Sequence, residues 1–368
     1  MAGQNIKSPV LLALLIHEKI TLILIYKPLF MKKNRLLVLL LLAMPFAVAA
    51  QGDLDQLFSG SVKDAKYLSE GYISPMLKAV GYGLNQGWYN TARPHKFPGF
   101  DLTLSVNPVF IPSADKIFNV DNTKMTNVAL VSDVDGKPVD PSNGKGNIPT
   151  LFGADKSTSY ATKDLIPTTF QGPKGTGLGF LPMPTLNLGI GLPKGFDIKF
   201  RFVPTIDLGK ASGNDITGKF GLFGIGVLHD FKQWIPGIKA LPFDLSAFVG
   251  YTKMTLNAGL SSSNPDQKAE FTSSATTIQV LISKKISVLT PYAGVGINMA
   301  TTKLGIKGTY DFGGSTGSVK DPFDLSVASN GPRATAGLRL KFGPIAFHGD
   351  YTLAKYKSAS VGFGINVR

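Results

Sequence analysis

The sequence contains no cysteine. This absence excludes a disulfide framework, thiol catalysis and cysteine-based zinc sites. Charged residues are scarce as well, at 17% of the chain, whereas about 25% is typical of a soluble protein. The body of the chain also lacks a run of about 20 apolar residues, the length that a membrane-spanning helix requires. A disulfide-rich domain and a helical membrane protein are therefore both disfavoured.

The composition that remains is rich in apolar residues and in glycine. Hydrophobic residues make up 43% of the chain, which holds 41 glycines, 24 phenylalanines and 11 tyrosines. Such a composition without helical spans is typical of membrane β-barrels. The net charge is +14, and the first 50 residues account for +5 of it, with six lysines and arginines against one glutamate. The remaining basic residues are dispersed, without a basic helix or an aromatic-basic RNA motif, so we expect no nucleic-acid partner.

Residues 31–50 have the form of a secretory signal peptide. A basic start, an apolar stretch and a small-residue cleavage site follow one another at Lys32–Arg35, Leu36–Leu42 and Ala47–Ala49. We predict cleavage near residue 50 and a mature chain that begins near Gln51. Residues 1–30 are predicted to be a mis-called upstream extension before the true start at Met31, and a long bipartite leader is the alternative.

Residues 51–96 differ from the rest of the mature chain and predict a helical N-terminal segment. Residues 53–58 and 62–68 are predicted short helices, and Ser61 is a suitable N-cap for the second one. Residues 73–84 form an apolar stretch that begins and ends near glycine and proline. We interpret the segment as a hatch on or inside a barrel. A periplasmic lead-in without a gating role is the alternative.

From Phe100 onward, apolar and polar residues alternate with a period of two, which predicts β-strands. The alternating stretches are 100–107, 185–192, 196–202, 243–250, 277–283, 333–342, 345–353 and 361–367. Tight turns are predicted at Pro193–Gly195 and Gly343–Pro344. Strands of about 9–11 residues behind a signal peptide favour an all-β fold, a transmembrane antiparallel barrel over residues 97–368. We predict about 10–14 strands, because closure favours an even number, and within this range we favour fourteen.

The alternation also predicts which residues face the lumen. A lysine or arginine on the lipid-facing side near the membrane midplane costs about 2–4 kcal/mol. Arg333, Arg339 and Lys341 should therefore face the lumen or lie at an interface. Inward-facing glycines leave room for a plug or a ligand. The long polar connections, at residues 132–176, 258–270 and 313–331, are predicted to be extracellular.

No pattern of residues predicts catalysis, a metal site or a cofactor. His95, His229 and His348 are far apart and lack metal-ligand spacing, and no G-x-S-x-G motif occurs. Adjacent strand residues point to opposite faces, so His229 and Asp230 cannot form a catalytic pair there. The sequence therefore predicts a protein that is not an enzyme.

One turn between two alternating stretches carries an unusual tryptophan. Trp234 precedes Pro236 and Gly237 there. We interpret these three residues as an interfacial turn in the aromatic belt of a barrel. A docking or gating turn is the alternative.

Three segments carry a resemblance to a known family. They are GYISPMLK at 71–78, GYGLNQGWYNTA at 81–92 and HDFKQWIPGIKALPFDLSAFVGY at 229–251. With them the chain resembles an uncharacterised family of Bacteroidota outer-membrane proteins, which implies a location and a fold but no activity. The order of a helical segment and a barrel also resembles the FadL-type transporters of long-chain fatty acids, in which a small hatch lies inside a fourteen-stranded barrel. Secretion barrels of the PorV kind share that architecture.

The predicted barrel lies in the outer membrane, where membrane lipid surrounds it. Three functions remain open for it. The leading hypothesis is a FadL-like barrel that binds or passes a small hydrophobic compound, with a ligand site at Ile73, Met76, Leu77, Val80 and Leu84. The second is a structural or secretion-accessory barrel that binds a partner protein. The third is a lipid-modifying enzyme, which needs serine, histidine and an acid at one rim.

Overall fold

The computed structural model describes residues 62–207, 218–260, 264–311 and 318–367. The features predicted at residues 1–30, 31–50 and 53–58 and at Ser61 lie outside these ranges. Across the described part of the chain, no helix is both long and apolar enough to cross a membrane.

The described residues form one α-helix and eighteen strands. In chain order these are α1 (Val62–Gly83), β1 (Phe100–Phe110), β2 (Ile117–Asp121), β3 (Val128–Ser132), β4 (Lys145–Pro149), β5 (Ser159–Thr162), β6 (Thr169–Gln171), β7 (Phe180–Leu192), β8 (Phe196–Asp207), β9 (Gly218–Asp230), β10 (Asp244–Gly259), β11 (Lys268–Ser283), β12 (Leu289–Lys307), β13 (Thr309–Asp311), β14 (Ser318–Lys320), β15 (Phe323–Ala328), β16 (Gly331–Phe342), β17 (Ile345–Leu353) and β18 (Ser358–Val367).

Ten of the described strands close into an antiparallel barrel. Their order around the wall is β1, β7, β8, β9, β10, β11, β12, β16, β17 and β18, and β18 pairs with β1 to complete the ring. Strand β15 lies outside the ring order and pairs with residues 301–306 of β12. The predicted barrel and its turns at 193–195 and 343–344 are confirmed. The ten strands lie within the predicted range of 10–14. The favoured count of fourteen is too high, because β2 to β6, within residues 111–179, pair only with one another and add no strand to the wall.

The faces of the wall follow the predicted alternation. On β1, Leu102 and Leu104 are exposed on the outside, whereas Asp101, Thr103 and Ser105 are buried on the inside. Every one of the ten wall strands contributes exposed apolar side chains, represented by Leu104, Leu188, Phe202, Ile225, Val249, Ile278, Val295, Leu338, Phe347 and Phe363. A soluble barrel would show the reverse arrangement, because burial of apolar surface drives its folding.

The connections divide the barrel into two different rims. The short-turn rim carries the connections 193–195, 231–243, 284–288 and 343–344. The opposite end, here the long-loop rim, carries the connections from β1 to β7, β8 to β9, β10 to β11, β12 to β15 and β17 to β18. Membrane barrels place their longer loops at the cell surface and their shorter turns in the periplasm.

A folded insertion, the cap (residues 111–179), lies between β1 and β7 at the long-loop rim. Its strands β2 to β6 form two small sheets. Its apolar core includes Leu68 of α1 together with Val120, Met125, Val128, Leu130, Val139, Ile148 and Tyr160. Residues 132–176, predicted as a loop, are thus part of a packed unit. The sequence did not indicate this unit, because the few apolar residues of the polar stretch 132–176 form a core only together with residues of β2, β3 and α1.

Helix α1 connects the cap to the inside of the barrel. It is one helix of 22 residues rather than separate short helices, and it contains Pro75. Tyr67 packs edge-on against Phe118 of the cap, with the ring centroids 5.4 Å apart. At the other end Gly83 lies against Val109 and Met183, which point inward from β1 and β7. Contacts with the cap and the wall on both sides compensate for the poor helix propensity of proline and glycine.

Candidate functional site

The chain continues from α1 through the lumen as the plug segment (residues 84–95). It contains no helix or strand, and none of its described backbone groups joins a wall strand by a backbone hydrogen bond. Side chains or close packing nevertheless connect it to all ten wall strands. The contacting wall residues, one from each strand, are Asp101, Asn187, Arg201, Gly224, Ser246, Gln279, Tyr292, Arg333, Thr352 and Asn366. The plug segment therefore fills the cross-section of the barrel.

Arg201 of β8 holds the first turn of the plug segment. Its Nη1 donates to the carbonyl oxygen of Leu84 at 2.8 Å, its Nη2 donates to that of Gln86, and its Nε donates to Asn187 Oδ1 at 2.7 Å. The guanidinium also lies 3.8 Å from the centre of the Trp88 ring. Arg201 is only 1% exposed, so these neutral oxygens and one aromatic face replace its water.

Arg333 of β16 binds the plug segment from another part of the wall. Its Nη1 donates to the Asn85 carbonyl oxygen and its Nη2 donates to Gln86 Oε1, both at 2.8 Å. Thr352 also donates to Gln86 Oε1, at 3.3 Å. Gln86 is therefore the residue on which the two arginines converge.

Trp88 packs onto a part of the wall that has no side chains. A Cβ atom at Gly224, Gly226 or Gly250 would come within 2.9–3.2 Å of the Trp88 ring. Phe248 closes one side of this surface, with its ring centroid 5.7 Å from that of Trp88. These inward-facing glycines give the indole the space it occupies.

An ionic cluster ties the end of the plug segment to the wall near the short-turn rim. His95 Nδ1 lies 2.7 Å from Asp197 Oδ2 and 3.6 Å from Asp101 Oδ1. His95 Nε2 lies 3.2 Å from Asn366 Oδ1. The ligand atoms of His95 and both aspartates lie within 4.8 Å of one another, a spacing suited to a metal ion. However, the ammonium of Lys199 lies 3.4 Å from Asp101 and 3.7 Å from Asp197, so a cation of the protein itself already contacts both carboxylates.

A cavity of about 370 Å³ lies where α1 meets the cap. Its lining residues are Tyr67, Glu70, Gly71, Ser74, Pro75, Lys78, Asp115, Ile117, Phe118 and Thr150. Lys78 forms an ion pair with Asp115 at 3.3 Å, and Asp115 also accepts a hydrogen bond from Tyr356 at 2.6 Å. Nearby, Tyr72 donates to the carbonyl oxygen of Lys174, and burial raises the pKa of Tyr72 to about 12.

Four of the predicted ligand residues lie on another face of α1, and the fifth, Leu84, is the first residue of the plug segment. Ile73, Met76, Leu77, Val80 and Leu84 are all buried, at 0–7% exposure. None of them lines the cavity between α1 and the cap. That they bind a hydrophobic ligand stays a prediction.

The predicted interfacial turn is exposed between β9 and β10. Trp234 is 66% exposed, and its Nε1 donates to His229 Nε2 at 3.0 Å. The His229 ring stacks on Phe196 with the centroids 3.9 Å apart. Pro236 and Gly237 are exposed as well. A role of this turn in the membrane interface stays a prediction.

One serine–histidine pair was not foreseen from the sequence. Ser105 Oγ lies 3.3 Å from His348 Nε2 inside the wall. His348 Nδ1 has no hydrogen-bond partner among the described residues, so no acid orients the ring as in a catalytic triad. Both residues are buried, and the His348 ring lies so close to Gly362 that a Cβ atom there would clash with it. The pair is packed into the wall and away from either rim.

Sequence reasoning predicted lumenal positions for Arg333 and Arg339 and missed the roles of Arg201 and Trp88. Arg333 and Arg339 are buried on the inner face, and Lys341 is half-buried beside the turn at 343–344. Arg201 alternates with the apolar residues of β8, which gave a signal for its inward position. Nothing in the local pattern indicates that its partners come from residues 84–88.

The docking of α1 to the cap provides a first test of this arrangement. Asp64, which is fully buried, accepts hydrogen bonds from the backbone N–H groups of Thr126, Asn127 and Val128 at 2.6–3.1 Å. Asp64→Ala leaves these donors unpaired and is expected to weaken docking by about 3 kcal/mol. Limited trypsin digestion should then cleave the cap faster. The control Asp135→Ala removes only an exposed contact of 3.9 Å to Lys137 and should leave the digestion rate unchanged.

Solved structures with similarity to this chain include several barrels. Ail, the attachment invasion locus protein of Yersinia pestis, is 8% identical with a TM-score of 0.26, and the match covers 73% of this chain and 96% of that chain. The translocator domain of the autotransporter NalP from Neisseria meningitidis is 12% identical with a TM-score of 0.27, covering 79% and 93%. The Ralstonia pickettii toluene transporter TbuX is 10% identical with a TM-score of 0.26, covering 81% and 94%. At these scores no residue role or activity transfers to this chain.

No curated protein matches the sequence. A family model does match, and it covers residues 31–367, nearly the whole chain. Its description is "Family of unknown function (DUF6588)", and the chain belongs to this family.

Proposed function

We propose that this protein is an outer-membrane barrel that is closed by its own plug segment and passes a small solute when that segment moves. The apolar outer face and the polar inner face of the wall support a location in a bilayer. An eight-stranded barrel is just wide enough for side chains to fill it. Ten strands enclose more space, and here the plug segment occupies that space.

The observation that carries the proposal is the independence of wall and plug. Each of the ten wall strands is hydrogen-bonded to two neighbouring wall strands, so the ring is complete without the plug segment. The plug segment is held by side chains and packing and adds no strand to the sheet. Its displacement would therefore leave the backbone hydrogen bonds of the wall intact.

Polar groups at the contact between plug and wall also favour movement. Both side-chain polar atoms of Asn85 and the Nε1 of Trp88 are buried without a hydrogen-bond partner among the described residues. On the wall, Asn107 Oδ1 and Asn298 Nδ2 are also buried without a hydrogen-bond partner among the described residues. Each buried unpaired group costs about 1–3 kcal/mol. Water that replaces the plug segment would hydrate these groups and offset part of the lost contacts.

A reversible lock between plug and wall tests the proposal. The side-chain oxygens of Thr91 and Ser283 lie 3.2 Å apart, so cysteines at these two positions are within reach of a disulfide. The natural chain has no cysteine that could compete. In planar bilayers with KCl, the oxidised double variant Thr91→Cys/Ser283→Cys is expected to show no channel openings. Reduction should restore the openings of the unmodified protein.

A second cysteine pair controls for the effect of the disulfide itself. Ser273 and Thr302 face each other on β11 and β12 with their oxygens 2.8 Å apart, and neither side chain contacts the plug segment. Their disulfide should leave the openings unchanged. Equal frequencies of channel opening in the oxidised and reduced Thr91→Cys/Ser283→Cys variant would contradict a moving plug. Silence of every form, the unmodified protein included, would contradict passage and favour the partner-binding barrel.

A hydrophobic compound in the manner of a FadL-like transporter is the second candidate solute. The buried apolar layer at Ile73, Met76, Leu77, Val80 and Leu84 favours it, since a shift of α1 would expose these residues together. Mass spectrometry of organic extracts from purified protein tests this candidate. A stoichiometric compound absent from an unrelated barrel would support it, and bulk lipid alone would count against it.

A further inference from the structure

The two arginines that hold the plug segment have unusual partners. All of the acceptors of Arg201 and Arg333 are neutral: carbonyl oxygens, amide oxygens and hydroxyls. Neither guanidinium forms an ion pair with any carboxylate in the described part of the chain. Buried guanidinium groups usually pair with anions, because neutral acceptors compensate only part of the lost hydration.

The carboxylates of the lumen are engaged elsewhere. Asp101 and Asp197 lie against Lys199 in the ionic cluster near the short-turn rim. Asp350 of β17 accepts a hydrogen bond from Tyr292 at 2.8 Å. Around Gln86, Arg201 and Arg333 therefore contact no described carboxylate, although Asp350 is near enough to Arg333 for their charges to interact through space.

We infer that the open lumen selects small anionic solutes. This inference rests on the proposed function, since it requires the plug segment to move. The carbonyl oxygens of Leu84, Asn85 and Gln86 and the Gln86 amide oxygen occupy the positions that the oxygens of an anion would take. Removal of the plug segment leaves the N–H groups of both arginines pointing into the space it vacated.

A third arginine adds to the positive wall and reaches the plug segment only through Asn366, whose Oδ1 also lies 3.2 Å from His95 Nε2. Arg339 of β16 is 8% exposed and donates to Asn366 Oδ1 of β18. A unit charge about 7 Å from an ion in water changes the local concentration of that ion about threefold. The effects on anions and cations have opposite signs, so each arginine should change the ratio of anion to cation permeability by more than this factor.

The experiment is the reversal potential in a KCl gradient across a planar bilayer. It uses the full chain with the plug-lock pair Thr91→Cys/Ser283→Cys in its reduced state. Chloride is expected to be more permeant than potassium. Arg339→Gln should lower the chloride-to-potassium permeability ratio at least about threefold.

Two substitutions of Arg333 distinguish the effect of its charge on permeability from its effect on the attachment of the plug segment. Arg333→Gln should make openings more frequent and also lower the permeability ratio about threefold or more. Arg333→Lys loses the two-pronged contact with Asn85 and Gln86 but keeps the charge, so openings should become more frequent at an unchanged ratio. A purely structural role of Arg333 predicts the same ratio for both variants.

The outcomes distinguish the two proposals. Openings that are cation-selective or unselective overturn the anion inference and leave the moving plug in place. A chloride-to-potassium permeability ratio that stays unchanged in both Arg339→Gln and Arg333→Gln has the same consequence. The absence of current in the reduced state overturns both. Chloride selectivity that falls with the loss of charge, and persists in Arg333→Lys, supports both.

Discussion

Trp88→Ala is expected to release the plug segment and to lower the free energy of unfolding by about 3–5 kcal/mol. The indole is 2% exposed, and it packs on Gly224, Gly226 and Gly250, which have no side chains of their own to fill the space that it leaves. The loss of its ring also removes the aromatic face on which Arg201 lies. Denaturant unfolding should report the change in stability, and proteolysis within residues 84–95 should become faster.

The chain provides a matched control, because its second tryptophan is in a different environment. Trp234 is 66% exposed and makes one side-chain hydrogen bond, to His229. Trp234→Ala should change the free energy of unfolding by less than about 1 kcal/mol and should leave proteolysis of the plug segment unaffected. Equal effects of the two substitutions would show that Trp88 does not hold the plug segment in the lumen.

Arg201→Met is the second substitution with a large expected effect. Methionine retains much of the length of the side chain. It leaves the carbonyl oxygen of Gln86 without its Arg201 donor, and it leaves that of Leu84 with only the hydrogen bond of 3.3 Å from Thr252. If the substitution lowers the stability of the closed state alone by about 2 kcal/mol, the ratio of open to closed channels should rise about thirtyfold. Single-channel recording in KCl measures this ratio as the fraction of time spent open.

Arg93→Met is the control for the loss of an arginine at the contact between plug and wall, because Arg93 belongs to the plug segment and binds Asp244 of β10. Arg93 donates to Asp244 at 2.9 Å, and its side chain is 58% exposed. An exposed pair of this kind contributes at most about 1 kcal/mol, so the open fraction should rise no more than about fivefold. A wild-type open fraction in Arg201→Met would mean that the arginine packs against the plug segment without restraining it.

The wall of the barrel could be predicted from the sequence because strand faces are a local property. Successive residues of a strand point to opposite faces, so Leu102 and Leu104 face outward and Asp101 and Thr103 face inward wherever the strand is placed. The cost of an arginine in lipid then assigned Arg333 and Arg339 to the lumen. The turns at 193–195 and 343–344 follow from glycine and proline between two alternating stretches.

The count of strands and the cap could not be predicted in the same way. Short strands such as β4 and β6 have no clear alternation, and their apolar residues are few. Their core forms only when residues from α1, β2, β3 and β5 meet, which is a property of the folded chain. Single-sequence patterns therefore assigned residues 132–176 to a loop and favoured additional strands for the wall.

The sequence by itself determined the barrel, the inward and outward faces of its strands and the presence of a distinct helical segment before it, because these depend on neighbouring residues. The tertiary structure alone decided that residues 84–95 fill the lumen and which side chains hold them there. Gln86 and Arg333 are 247 residues apart and His95 and Asp197 are 102 apart, so no local pattern connects them. The balance between a closed and an open barrel lies in these long-range polar contacts, since the hydrogen bonds of the wall are complete without them.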